Sequence, residues 1–299
     1  MRVATISIYN NSKYQLGKTF SEYGEAVDTI NTGKKIKTPA DDPVGFSQVI
    51  DIDSTLSQMD QLHKNIDTGL TWLTNSETTL DSIRETILDT KVTAIAAVNG
   101  SYNSDDFDTA TDQVGELLSQ MVDFANSNVN GQYLFSGTKT DTKPYELDTT
   151  AVPPATYFGN QENFSVSSGT GSRTDVGYPG SEIFGDVTAG DDIFSLLVEM
   201  QTDLTTTGGA NLDTIMTELD AHYENVINVI SNIGAKATRL ETKESVINDF
   251  EVTFEEQKSN LEDVDLAEAA TDLALRQTAY EAVLSATSKI ISLSLVDYI

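Results

Sequence analysis

The sequence predicts a mainly α protein: a long antiparallel helical rod, packed as a coiled-coil bundle, with paired terminal helices and a small inserted β-rich domain. Three observations carry this. Apolar residues recur at alternating spacings of three and four in four stretches, two of them sustained for roughly 50 residues, far beyond an ordinary globular helix. Residues 139–190 break that rhythm, holding four of the chain's six prolines and many glycines among scattered Tyr, Phe and Val. The last stretch is apolar on more than one side, with Leu273, Tyr280, Leu284, Ile291 and Tyr298 on one stripe and Val283, Ala286, Ile290 and Leu293 on another.

In chain order, Tyr9, Leu16, Phe20, Tyr23, Val27 and Ile30 form one helical stripe that stops at Asn31-Thr32-Gly33, where glycine suits a left-handed C-cap. Lys34, Lys35 and Lys37 follow, placed to complement the helix dipole or to meet a neighbour's carboxylates. Asp41-Asp42-Pro43 opens a second helix with an acidic N-cap and a proline at the first helical position. Val49, Ile52, Leu56, Met59, Ile66, Leu70, Leu73, Leu80, Ile87 and Ala94 then hold a heptad register interrupted by His63, Glu77, Arg84 and Lys91. At ~1.5 Å per residue this is a rod of about 75 Å. Phe107, Ala110, Val114, Leu117, Met121 and Phe124 mark a shorter third helix, and Tyr133-Leu134-Phe135 reads as a short strand leading into the insertion.

Helical spacing returns at Ile193, Leu197 and Leu204. After Gly208-Gly209 the second rod runs through Leu212, Ile215, Leu219, Val226, Val229, Ile233, Leu240, Ile247, Phe250, Phe254 and Leu261. Met216, Tyr223, Ile230 and Ala237 add a second seam, which favours a bundle over an isolated pair. Asp265 with Glu268 forms a capping-box pattern at the start of the last helix. The expected division is residues 1–40 with 263–299 as a terminal helical domain, 41–138 with 190–262 as the rod, and 139–189 as the insertion.

The formal net charge of −29, from 47 acidic and 18 basic residues, argues against nucleic acid or an anionic membrane as partner and suits a solvated, crowded surface. Calcium loops are not expected, because Asp105-Asp106-Phe107-Asp108 and Asp191-Asp192 lack the required spacing. With no cysteine there is no disulfide frame, thiolate nucleophile or cysteine zinc site. The two histidines, His63 and His222, fall on seam positions, and Gly169-Thr170-Gly171 followed by Arg173-Thr174 fails the dinucleotide fingerprint. We therefore expect no catalytic, cofactor-binding or metal residues. The first ten residues carry no apolar run suited to a cleaved secretory signal, and no stretch reaches the 18 apolar residues of a membrane span. This leaves the cytosol, or export by a route that reads something else.

A pair of terminal helices is marginal alone, since ordering costs about 1–2 kcal/mol per residue while each buried large side chain returns about 1.5–3 kcal/mol. The ends are expected to order fully when neighbouring copies cover their second stripes. Leu16, Phe20, Tyr23 and Val27 at one end, with Leu273, Tyr280, Leu284 and Ile291 at the other, are the candidate assembly residues. Trp72, beside the seam residue Leu73, reads as half-buried packing.

Several motifs resemble those of the bacterial flagellin family. The run from Ile30 to Gly45, with Gly33-Lys34-Lys35-Ile36 and Asp41-Asp42-Pro43, resembles the signature that follows the family's first helix. Gly131-Gln132-Tyr133-Leu134-Phe135-Ser136-Gly137-Thr138 is similar to a motif of the family's hook-associated branch at the hook-filament junction. Glu262 to Ala269, with Leu293-Ser294-Leu295, resembles the shared C-terminal helix. The likeness spans roughly residues 1–138 and 190–299. It implies an inner tube of paired terminal helices, an outer rod and a β-rich outer domain. It also implies a structural role joining hook to filament, an extracellular place on the flagellum, and export through the flagellar type III apparatus. The partners implied are other copies, the preceding hook-associated junction protein, flagellin, and an export chaperone bound at the C-terminal region. The alternatives are a filament flagellin, against which Pro43 and Tyr133-Leu134-Phe135 weigh, and a coiled-coil secreted tip or effector protein, which leaves both motifs unexplained.

Overall fold

A computed structural model describes the backbone of residues 2–98, 104–169 and 171–296, and the side chains of 7–98, 105–169 and 171–290. The described helices are α1 (Arg2–Thr32), α2 (Pro43–Val98), α3 (Ser104–Ala125), α4 (Gly180–Phe184), α5 (Ile193–Thr206), α6 (Leu212–Glu262) and α7 (Leu266–Val296). Contacts divide the chain into two compact units, Met1–Gln58 with Asp249–Ile299, and Met59–Asn248. The turns near residues 40 and 263 thus lie inside the first unit.

In the first unit α1 packs along α7. Helix α1 ends where Gly33 takes φ 71° and donates its N–H to the Thr29 carbonyl at 2.9 Å. Two main-chain bonds then tie the loop to the far end of α6: Lys35 N–H donates to the Glu262 carbonyl at 2.7 Å, and Val264 N–H to the Gly33 carbonyl at 2.9 Å. Lys34 meets the Glu262 carboxylate at 2.5 Å and the Lys35 ammonium donates to the Asn260 carbonyl at 2.9 Å. These two cations therefore complement the C-terminus of α6, while Lys37 turns back to Asp28 on α1 at 2.8 Å. Asp265 caps α7 as its position predicts, accepting from the N–H of Ala267 at 2.8 Å.

The second unit holds the main core. In it α2 and α6 run antiparallel, with Lys91 paired to Asp220 and Gly69 set against Leu240. Ile66, Leu73, Leu80, Ile87 and Ala94 are buried at strict heptad spacing, facing a core that includes Leu212, Ile215, Leu219, Val226, Val229, Ile233, Leu240 and Ile247. Two shorter helices, α3 and α5, pack against each other. Burial on α2 is wider than one seam, for Trp72, Ser76, Ile83, Thr86, Thr90, Thr93 and Ala97 are covered as well. The threonines settle their hydroxyls on the preceding turn, Thr90 Oγ1 donating to the Thr86 carbonyl at 2.8 Å, so they bury no unsatisfied group. Trp72 is buried, not half-buried, because Phe164 of the insertion lies on its ring with centroids 4.7 Å apart.

The insertion and its flanks form small antiparallel ladders, not a continuous sheet: β1 (Asn128–Val129) with β2 (Gln132–Tyr133), β3 (Tyr145–Leu147) with β4 (Ala155–Tyr157), β5 (Ser165–Gly169) with β6 (Ser172–Asp175), and β7 (Gly185–Asp186) with β8 (Asp191–Asp192). The strand expected over residues 133–135 stops at Tyr133. Leu134 and Phe135 are consecutive and both buried, which an alternating strand with one wet face cannot achieve. They leave the ladder in a turn, and Phe135, Tyr145, Phe184 and Phe194 stack into the same core as the helices, with Phe184 and Phe194 centroids 5.4 Å apart. Four two-stranded ladders too short to stand alone are held by this shared core.

Candidate assembly site

The predicted assembly residues divide into those the chain uses internally and those it leaves open. Tyr280 of α7 lies between two aromatic rings of α1, 5.6 Å from Phe20 and stacked on Tyr23 at 6.0 Å. Leu16, Tyr23, Val27, Leu273 and Tyr280 are half-buried in the α1–α7 pair, while Phe20 keeps 60% and Leu284 46% of its surface exposed. The Ile291 side chain lies outside the described residues, as does Tyr298. Among the described residues of α1 and α7 only Ala26, Ala269 and Thr287 are buried, and none of these is a large apolar side chain. A two-helix pair can cover one stripe of each helix; both helices here carry more.

The open surface includes residues the stripes did not single out. Ile8, Tyr14, Leu266 and Leu275 are exposed, Tyr14 and Leu275 more so than Leu284. Arg276 was also missed. It bonds Asp272 on its own helix at 2.7 Å and reaches the Glu22 carbonyl of α1 at 3.4 Å, fixing how the two helices meet. A cation at i+4 from an acid was the available signal.

The motif residues are structural. Asp41 Oδ2 accepts from the backbone N–H groups of Lys37 at 3.0 Å and Thr38 at 2.8 Å and from the Thr38 hydroxyl at 3.1 Å, and these bonds hold its carboxyl below the usual carboxylate range. Asp42 Oδ1 accepts the N–H of Val44 at 3.0 Å, and Pro43 opens α2. Tyr133 N–H donates to the Thr140 carbonyl at 2.7 Å. Ser136 is buried with its hydroxyl on the Tyr133 carbonyl at 3.2 Å. Gly137, at φ 70°, sits where a Cβ would come within 2.5 Å of the Asn160 carbonyl oxygen, so that turn admits only glycine. His63 and His222 are half-buried; burial pushes His222 down, against the pull of Asp191 and Asp192. No described residues form a group suited to hold a metal, and no described helix is long and apolar enough to cross a membrane.

Terminal helices that pair with each other yet leave apolar faces open, in a chain whose middle folds as a helical core with a small insertion, are features of one family. Residues 3–140 match the bacterial flagellin N-terminal helical region and residues 216–299 the bacterial flagellin C-terminal helical region, and the chain belongs to the bacterial flagellin family. Within it, the chain is similar to flagellar hook-associated protein 3 of Escherichia coli, 25% identical and aligned over 99% of this chain and 98% of that protein. The protein of the same name in Salmonella typhimurium is 23% identical, covering 94% of each. In fold it is similar to the crystal structure of flagellar hook-associated protein 3 from Legionella pneumophila, with a TM-score of 0.64 at 16% identity over 70% of this chain and 98% of that one.

Proposed function

We propose that this chain is a structural adaptor of the bacterial flagellum at the hook-filament junction, assembling through α1 and α7. The observation that carries the reading is the apolar surface left open on these helices, Phe20, Leu275 and Leu284 among it, in a chain aligned end to end with hook-associated relatives. Neighbouring subunits would cover those stripes, which supplies the burial the isolated pair lacks. In this reading residues 1–40 and 263–299 form the inner layer, 41–138 with 190–262 the rod, and 139–189 the outer part. The partners are further copies, the preceding hook-associated junction protein on one side, flagellin on the other, and before export through the type III apparatus a chaperone at the C-terminal region. Nothing in the role calls for catalysis.

Leu284→Asp is expected to leave the thermal unfolding of the monomer within about 0.5 kcal/mol of the parent, because the side chain is half in water already. The same change is expected to abolish incorporation into flagella, read by immunolabelling of hook-filament junctions in cells that lack their own junction subunit. Normal incorporation would sink the assignment of these helices to assembly.

A further inference from the structure

Where the β5–β6 ladder lies over α6, four cations gather in an otherwise acidic chain. Lys236, Arg239 and Lys243 fall within about two turns of α6, at spacings that share a face, and Arg173 stands on β6. Lys236, Lys243 and Arg173 are each engaged without a counter-charge. The Lys236 ammonium lies 4.0 Å from the centre of the Tyr178 ring. Lys243 donates to the hydroxyls of Ser168 at 2.6 Å and Ser172 at 3.0 Å, and Arg173 Nε donates to the Ser165 hydroxyl at 2.9 Å. Elsewhere Lys18, Lys34, Lys37, Lys64, Lys91, Lys258, Arg84 and Arg276 meet a carboxylate within 4.0 Å, while among the described residues Lys13, Lys35, Lys139 and Lys143 do not. Among the described residues none of the four in the patch forms an ion pair, although Asp175, Glu241 and Glu244 are close in sequence. Burial and the charge of Arg239 push the Lys243 amine below its ordinary range, as expected where positive charge is gathered and not neutralised.

Resting on the assembly role above, we propose that this patch of Arg173, Lys236, Arg239 and Lys243 docks a carboxylate-bearing face of a second copy of this chain. Charge complementarity favours that occupant. Copies carrying −29 each repel on approach, and a surface built from 47 acids offers carboxylates in most directions but few places that attract them. A concentrated cationic spot on the rod therefore selects the orientation in which two like-charged subunits can settle, adding register to the adhesion supplied by the apolar ends. Both Arg173 and Arg239 are exposed, so the guanidinium groups are reachable.

The test uses full-length chain assembled on flagellar structures from a mixture of ordinary and heavy-isotope copies, coupled with a zero-length carbodiimide and mapped by mass spectrometry. Mixed-isotope peptides joining Lys236 or Lys243 to Asp or Glu are expected, and same-copy links alone would overturn the proposal. Arg239→Glu, a change at an exposed side chain, is expected to slow assembly about tenfold at low salt with the gap closing at high salt, while Lys64→Glu does not. If Arg239→Glu assembles like the parent at every salt concentration while Leu284→Asp still fails, the patch is refuted and the assembly role stands. If Arg239→Glu blocks only the joining of flagellin, the occupant is a different family member and the second-copy proposal falls.

Discussion

Asp41 organises the turn between α1 and α2 with one carboxylate oxygen, which accepts from two backbone N–H groups and a hydroxyl. Its folded pKa lies below the ordinary 3.8, chiefly through the Lys37 N–H and then Thr38. The contribution of this group is therefore complete above that ordinary value and is lost as the pH falls through the lowered folded pKa. Asp41→Ala should lower the thermal midpoint near neutral pH, and the gap to the parent should close in acid; melts across the pH range check this, and a gap independent of pH would contradict it. Neighbouring Asp42 acts separately, as the cap of α2. That both acids serve backbone groups was legible for Asp42, whose place before a proline is a capping pattern. It was not legible for Asp41, because its partners lie in a loop with no period.

Among the elements, the two long helices were the most legible, since a heptad repeated over many turns leaves little ambiguity about which face is buried. Leu80 is fully buried in that seam and Leu275 of α7 is 66% exposed. Truncation to alanine should cost about 2–5 kcal/mol at Leu80 and under about 0.5 kcal/mol at Leu275, measured by urea unfolding of the monomer. Comparable losses would mean α7 is covered in the monomer. The seam on α6 runs out where the sequence does not announce it: Ile247 is buried and Phe250, the next position of the pattern, is 53% exposed. Periodicity shows which residues can face a partner, and the partner's presence is a tertiary fact. The open face of α7 was equally hard to read, because a helix apolar on several sides does not single out one direction. The ladders of the insertion escaped for a different reason, as strands of two to five residues are too short to display a period of two.

For the whole molecule, charge is the dominant quantity. A net −29 over 299 residues opposes compaction by self-repulsion, and the ion pairs available are few. Raising sodium chloride from about 0.01 M to about 1 M shortens the screening length from ~30 Å to ~3 Å, and the thermal midpoint of the monomer should rise across that range. A flat or falling midpoint would show that the repulsion is already relieved within the fold. The division at residues 58 and 249 could not be read from the sequence, for α2 and α6 each pass through it without a break in helical pattern. The family signatures were legible, and the structure gives them a physical content: a capped helix entrance, a buried Leu134-Phe135 turn and a glycine pinned by Asn160.

The bridge that joins Gly33 and Lys35 to Glu262 and Val264 links residues more than 200 positions apart in the chain. A ribosome delivers a polypeptide one residue at a time, so the loop after α1 must wait for almost the entire sequence before its partners arrive. The first unit is thus the part of the molecule that closes last as the chain is made, for it needs both of its distant stretches of sequence at once.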